Sequence, residues 1–222
     1  MAPRTRYKKS EASREHVLQA AIDTLAAKGY ARTSVGDIAE RAAMSKGSVH
    51  YHFESKEDLV THVLHTCLAR IGRPVRLAWE EPGGSSTTRI AGAVAALRKT
   101  RDDMGPEMRV LIDLMAQAVH DESLRAPIAA AMKAEREALH VALQDSLQEL
   151  GLVPVVAPDL ILRLLMALLD GFVLHRLFDP PTPEESDALD EALTHLARGL
   201  FAATAAQNEA AMRTSEAPRL RS

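Results

Sequence analysis

The chain has 222 residues, enough for one large domain or two small ones, and its 46% hydrophobic and 26% charged content argues against a disordered chain. Its 37 Ala and 28 Leu outnumber 14 Val and 7 Ile, and aromatics are only 4%, so helix formers dominate strand formers and an all-α fold is expected. A single cysteine, Cys67, excludes an internal disulfide framework and fits a reducing cytoplasm, while the net charge of −3 names no partner by itself.

The charge is uneven along the chain. Residues 1–60 carry a net +2 and the remainder −5. Within the first fourteen residues Arg4, Arg6, Lys8, Lys9 and Arg14 face only Glu11. A disordered basic arm over 1–13 is expected, suited either to phosphate or merely to solubility. Its lack of an apolar core predicts no secretory signal. The greasiest stretch, Leu160 to Phe178, is interrupted by Arg163, Asp170, His175 and Arg176, so no membrane span is expected.

After the arm, Val17, Leu18, Ala21, Ile22 and Leu25 form one face of a helix ending at Gly29. Thr33 and Ser34 are N-cap residues for a short second helix carrying Val35, Ile38, Ala39 and Ala42. A third opens at Ser45 and runs to about His52. Ser55 caps a fourth, with Glu57 and Asp58 where the helix dipole favours them, and Gly72 with Pro74 should break or bend it. The segment 81–88 (EPGGSSTT) is the clearest punctuation. Beyond it, helices are predicted near 87–101, 106–119, 123–150, 158–177 and 183–203, with Pro127 marking a first turn and a frayed tail after 204. The corresponding segments are a helical unit over 14–60, a second over 61–204, and a flexible tail over 205–222.

Residues 33–56 read TSVGDIAERAAMSKGSVHYHFESK. Two helices this short cannot stand alone and must pack on each other and on the first helix. The small Ala39 lets the axes approach, and Ile38, Met44 and Val49 fill the angle between them. That is a helix-turn-helix, whose second helix enters the DNA major groove. No acid stands between Ser45 and Phe53, where a carboxylate would face phosphate. Lys46, His52 and Lys56 are the candidate phosphate contacts, with Thr33, Ser45 and Gly47 around them. Ser48, His50 and Tyr51 are the candidates for base edges.

This stretch resembles the DNA-binding domain of the tetracycline-repressor (TetR) family of bacterial transcription regulators, over roughly residues 14–64. The resemblance is carried by Ala20-Ala21, Leu25, Gly29-Tyr30, Thr33, Val35, Asp37-Ile38-Ala39 and Ala42. It continues through Ser45-Lys46-Gly47-Ser48-Val49, His52-Phe53, Ser55-Lys56-Glu57 and Leu59. Ala43 stands where the family usually has Gly, and His50 where it most often has Tyr. The resemblance implies a dimer formed by the last two long helices and a small-molecule pocket in the C-terminal half. Leu165 and Leu169 on a nearly all-apolar helix, with Leu189, Leu193, Leu196 and Leu200 at four-three-four spacing, are the expected dimer contacts. Met108, Met115, His140, Asp170 and His175 are the pocket candidates, though a methionine stripe is also what plain core looks like.

No phosphate-binding loop, dinucleotide fingerprint, zinc-protease or hydrolase motif is found, so no enzyme and no cofactor are expected. His62, His65 and Cys67 share one helix, but Cys67 lies on a different side, and no metal site is expected. The expectation is a homodimeric regulator, most simply a repressor, that binds a palindromic double-stranded operator and an unknown small hydrophobic effector. A helical adaptor that binds only protein is the alternative.

Overall fold

The computed structural model describes residues 3–150, 154 and 156–215, with side chains described from 10 to 200 except 101, 151–153 and 155. These residues form α1 (Pro3–Lys28), α2 (Val35–Arg41), α3 (Lys46–His52), α4 (Lys56–Trp79), α5 (Ser86–Asp103), α6 (Pro106–Ala118), α7 (Glu122–Glu149), α8 (Pro158–Arg176) and α9 (Pro183–Ser215). No strand occurs among them. None of these helices is long and apolar enough to cross a membrane.

The chain divides into two compact units, and the division departs from the expected boundary at 60. The first comprises residues 1–71 together with 104–135, and the second 72–103 together with 136–222. The cuts fall inside α4 and α7. The physical reason lies in α1, which packs against α2 and also against α6. Helix α6 buries Met108, Val110, Leu111 and Leu114, and that apolar face makes it part of the first unit's core. Around it are buried Val17, Ala21, Ile22 and Leu25 of α1, and Leu59, Val63, Leu64 and Cys67 of α4.

In the second unit α5 packs on α8 and α9. Its core gathers Trp79, Ile90, Val94, Leu139, Leu143, Ile161 and Leu162. Arg89 lies inside it, 1% exposed, with all three of its side-chain nitrogens engaged: Nη1 donates to the Trp79 carbonyl (2.9 Å) and to Ser146 Oγ, Nε to the Gly84 carbonyl (3.1 Å), and Nη2 to Glu149 (2.7 Å). A buried guanidinium is tolerated because every direction of its fork is met. It fastens the Gly84 turn to α7.

Four helix ends differ from expectation. α1 begins at Pro3, so the stretch expected as a disordered arm is helical from there. Pro fits a first helical turn, and nothing between Arg4 and Lys28 breaks a helix. The side chains of Arg4, Arg6, Lys8 and Lys9 lie outside the described residues. α4 runs through Gly72 and Pro74 to Trp79, since one lost main-chain bond does not end a helix buried on both sides of it at Leu68 and Trp79. Pro127 likewise sits inside α7, not at its first turn. α9 continues to Ser215 through the Ala-rich stretch expected to fray after 204; residues 216–222 of that tail lie outside the described residues.

Candidate nucleic-acid interface

Gly29 ends α1 with φ +77°, a left-handed position that glycine adopts without strain, and its N–H donates back to the Leu25 carbonyl (2.8 Å). The chain then turns over α6, where Asp113 accepts the Tyr30 N–H at 2.6 Å. From the other side Lys56, the first residue of α4, donates to the Tyr30 carbonyl (2.9 Å) and lies 4.0 Å above the Tyr30 ring. Burial holds the Lys56 ammonium below its ordinary pKa and the Tyr30 phenol above its own, the latter aided by Glu57 and Asp121. The elbow before α2 is therefore gripped by both α6 and α4.

Ser34, not Thr33, caps α2. Its hydroxyl accepts from Asp37 N–H (3.2 Å), while Asp37 accepts from Ser34 N–H (2.8 Å), a reciprocal capping box. Asp37 also takes the Lys28 ammonium at 2.6 Å, and this contact, with Ser34, holds its carboxyl well below the usual range. Thr33 is buried, and its hydroxyl donates to the Gly29 carbonyl (2.7 Å). Its side chain is thus spent inside the protein and does not face DNA as expected.

α2 ends in a Schellman motif: Met44 N–H donates to the Ala39 carbonyl (2.9 Å) and Ala43 N–H to the Glu40 carbonyl (3.0 Å). Ala43 takes the left-handed position at φ 51°. His16 of α1 donates from Nε2 to the Ala42 carbonyl (3.0 Å), tying the turn to the first helix. Ser45 then caps α3, accepting from Ser48 N–H at 3.0 Å, with the two hydroxyls 2.9 Å apart.

On α3 one face is core and the other is bare. Val49 and Phe53 are buried, whereas Ser45, Lys46, Gly47 and His50 are exposed and Tyr51 is 76% exposed. Ser48 is half-buried. His52 turns inward: its Nε2 is hydrogen-bonded to Ser13 Oγ of α1 (3.0 Å), with the Tyr51 and Phe53 rings on either side. Arg14 stacks over Phe53 at 5.0 Å. Of the three expected phosphate contacts, then, Lys46 is outward, while His52 and Lys56 brace α3 and α4. The long-range partners Ser13, His16 and Asp113 left no local signal. The Ser34-x-x-Asp37 spacing did carry one, since it is the sequence form of a capping box.

The other expected sites are less well gathered. Met108 is core of the first unit and Met115 is half-buried there, while His140, Asp170 and His175 belong to the second. Burial raises the Asp170 carboxyl above its ordinary range. His175 lines an open concavity of about 480 Å³ that also includes Phe172, Arg176 and Leu189. His62 hydrogen-bonds the Asp58 carbonyl (3.0 Å), His65 is exposed, and Cys67 is buried with its thiol pushed up to about 12.

The leucines expected at a dimer contact are mostly internal. Leu165, Leu193 and Leu200 pack against the second unit's own core, and Leu165, Leu169 and Leu193 meet Leu97 around a void of only about 10 Å³. The bare apolar stripe lies one face further round. On α8 it is Leu160, Leu164, Ala167, Gly171 and Leu174 at helical spacing, continued by Phe178 in the turn beyond, with Leu160 55%, Leu174 46% and Phe178 83% exposed. On α9 it includes Ala192, Leu196 and Gly199, and a Cβ on Gly171 or Gly199 would meet nothing within 4 Å. Leu196 alone of the six expected contacts belongs to this stripe.

Comparison with known proteins agrees with this architecture. Residues 17–63 match the family of bacterial regulatory proteins of the tetR type, and residues 87–202 match the C-terminal domain of BetI-type transcriptional repressors. The HTH-type transcriptional regulator AcrR of Shigella flexneri is 32% identical over 72 residues, 32% of this chain and 33% of that one. An HTH-type transcriptional regulator of Mycobacterium bovis is 32% identical over 123 residues, 55% of this chain and 61% of the relative. The chain thus aligns with a third to three-fifths of the length of these relatives. A TetR-family transcriptional regulator from Rhodococcus sp. shares the fold, with a TM-score of 0.70 at 23% identity, covering 85% of this chain and 98% of that structure. With a helix-turn-helix at its front and the second match spanning more than half its length, the chain belongs to the TetR family of bacterial regulatory proteins.

Proposed function

We propose that the protein is a sequence-specific DNA-binding transcription regulator, acting as a homodimeric repressor that a small hydrophobic ligand releases from a palindromic operator. The observation that carries this reading is α3: it is acid-free, exposed along Lys46, Gly47, His50 and Tyr51, and held from behind by Val49, Phe53 and the Ser13–His52 bond. His50 and Tyr51 read base edges, and Lys46 and Ser45 meet phosphate. Repression is supported by the match to BetI-type repressors over the C-terminal half. The bare α8 and α9 stripe is the face on which two copies pair, since a self-complementary patch buried on its symmetry mate removes that apolar area from water.

The test is selection from a randomised duplex library by the full-length protein, followed by mobility shift on the winning sequence. A palindrome should emerge, with half-sites about 34 Å apart or a multiple of it. Recovery of no consensus would reject sequence-specific recognition.

A further inference from the structure

Glycine in a short helix is costly, because it is the poorest helix former after proline and α2 has only seven residues. Where φ is positive the cost is explained, but Gly36 is not among the positive-φ glycines of this chain. Space explains it instead. A Cβ built on Gly36 would stand 2.8 Å from Cε of Lys46, closer than real Cβ atoms approach, and 3.1 Å from its Nζ, a tight contact. The lysine stem of α3 therefore lies directly on the bare main chain of α2, with Ser34 Oγ 3.4 Å from the same point.

Nearby cations are differently engaged. Lys28 is held by Asp37, Arg41 faces Asp23 at 3.6 Å, Lys56 sits on Tyr30, and Arg14 on Phe53. Among the described residues Lys46 makes no ion pair; the end of its exposed side chain lies against the main chain of Gly36.

We propose that Gly36 is a positioning residue for DNA binding: it is the seat that holds the Lys46 ammonium where a DNA phosphate meets the junction of α2 and α3. The inference rests on the reading of Lys46 as a phosphate contact. Seating the stem removes part of the side-chain entropy that a free lysine would lose on binding. Gly36→Ala would unseat it, and it can do so without disturbing the fold, because the displaced atoms are the far end of a flexible chain.

The experiment measures duplex affinity across a salt series for the full chain, Gly36→Ala, Lys46→Ala and the double variant, using a duplex selected by the protein itself. Lys46→Ala should weaken binding and flatten the slope of log affinity against log salt by about 0.9 per protomer. Gly36→Ala should melt at or above the parent temperature, yet bind about two- to tenfold more weakly with a shallower slope. The double variant should match Lys46→Ala, because Gly36 acts through the lysine. Loss of affinity from Gly36→Ala that persists undiminished in the Lys46→Ala background would overturn the inference, as would unchanged or tighter binding by Gly36→Ala. If Lys46→Ala itself left affinity and slope untouched, the phosphate reading would fall and the inference with it.

Discussion

At the scale of single residues, two positions carry a definite cost. Ala43 occupies a left-handed conformation whose Cβ clashes with the neighbouring carbonyl, while its side chain is exposed and packs on nothing that glycine would lose. Ala43→Gly should stabilise the protein by about 1 kcal/mol, or roughly 2–4 °C in Tm for a chain of this size, read by thermal unfolding. Asp170 is the second. Burial raises its pKa, so the folded protein binds this proton more tightly than the unfolded chain does. Stability then falls as pH rises from the ordinary carboxylate pKa through the raised one. Asp170→Asn should therefore raise Tm at neutral pH, and the gain should vanish below the ordinary carboxylate range, where both states are protonated. A gain independent of pH would place its origin in packing instead of charge.

At the scale of elements, the helical faces decide which substitution breaks what. Leu193 and Leu165 serve the second unit's core, whereas Leu164 and Leu196 lie on the bare stripe. A glutamate at Leu193 places a charge in packed surroundings and should cost several kcal/mol of stability. Leu164→Glu or Leu196→Glu should leave the monomer's melting nearly unchanged and shift sedimentation from dimer to monomer. An intact dimer in both would move the interface off this stripe. The elbow at Tyr30 offers a comparable test between α6 and the helix-turn-helix. Asp113→Ala leaves the Tyr30 N–H without its acceptor, for about 1–3 kcal/mol of lost stability measured by urea unfolding.

At the scale of the whole molecule, the first unit joins α2 and α3 to α6 and the front of α7, so on the proposed function a displacement of α6 is a displacement within the unit that reads DNA. α4 is continuous through both units, and on that proposal an effector that prefers one arrangement of its helices would shift operator affinity by its differential binding alone. A coupling of about 1–3 kcal/mol corresponds to roughly 5- to 150-fold, and operator must change effector affinity by the same factor. Trp79, the single tryptophan and buried in the second unit, provides the fluorescence readout for titration with and without operator duplex. A compound whose affinity ignores operator is not the inducer.

Sequence alone determined the all-helical class, the order of helices and the helix-turn-helix, because those depend on local quantities: Ala and Leu content, apolar spacing, and caps at Ser34, Ser45 and Ser55. It also placed the outward set Ser45, Lys46, Gly47, His50 and Tyr51, since an unbroken acid-free run on one short helix is legible residue by residue. Only the tertiary structure decided that Thr33 is buried and that the half-buried His52 and Lys56 are engaged within the protein, for their partners Gly29, Ser13 and Tyr30 are brought to them by folding. It alone assigned α6 to the first unit, and it alone chose between two apolar faces of α8 and α9. A helix that is greasy nearly all round carries no periodic signal to say which side its own core will take; that choice is made by what packs against it.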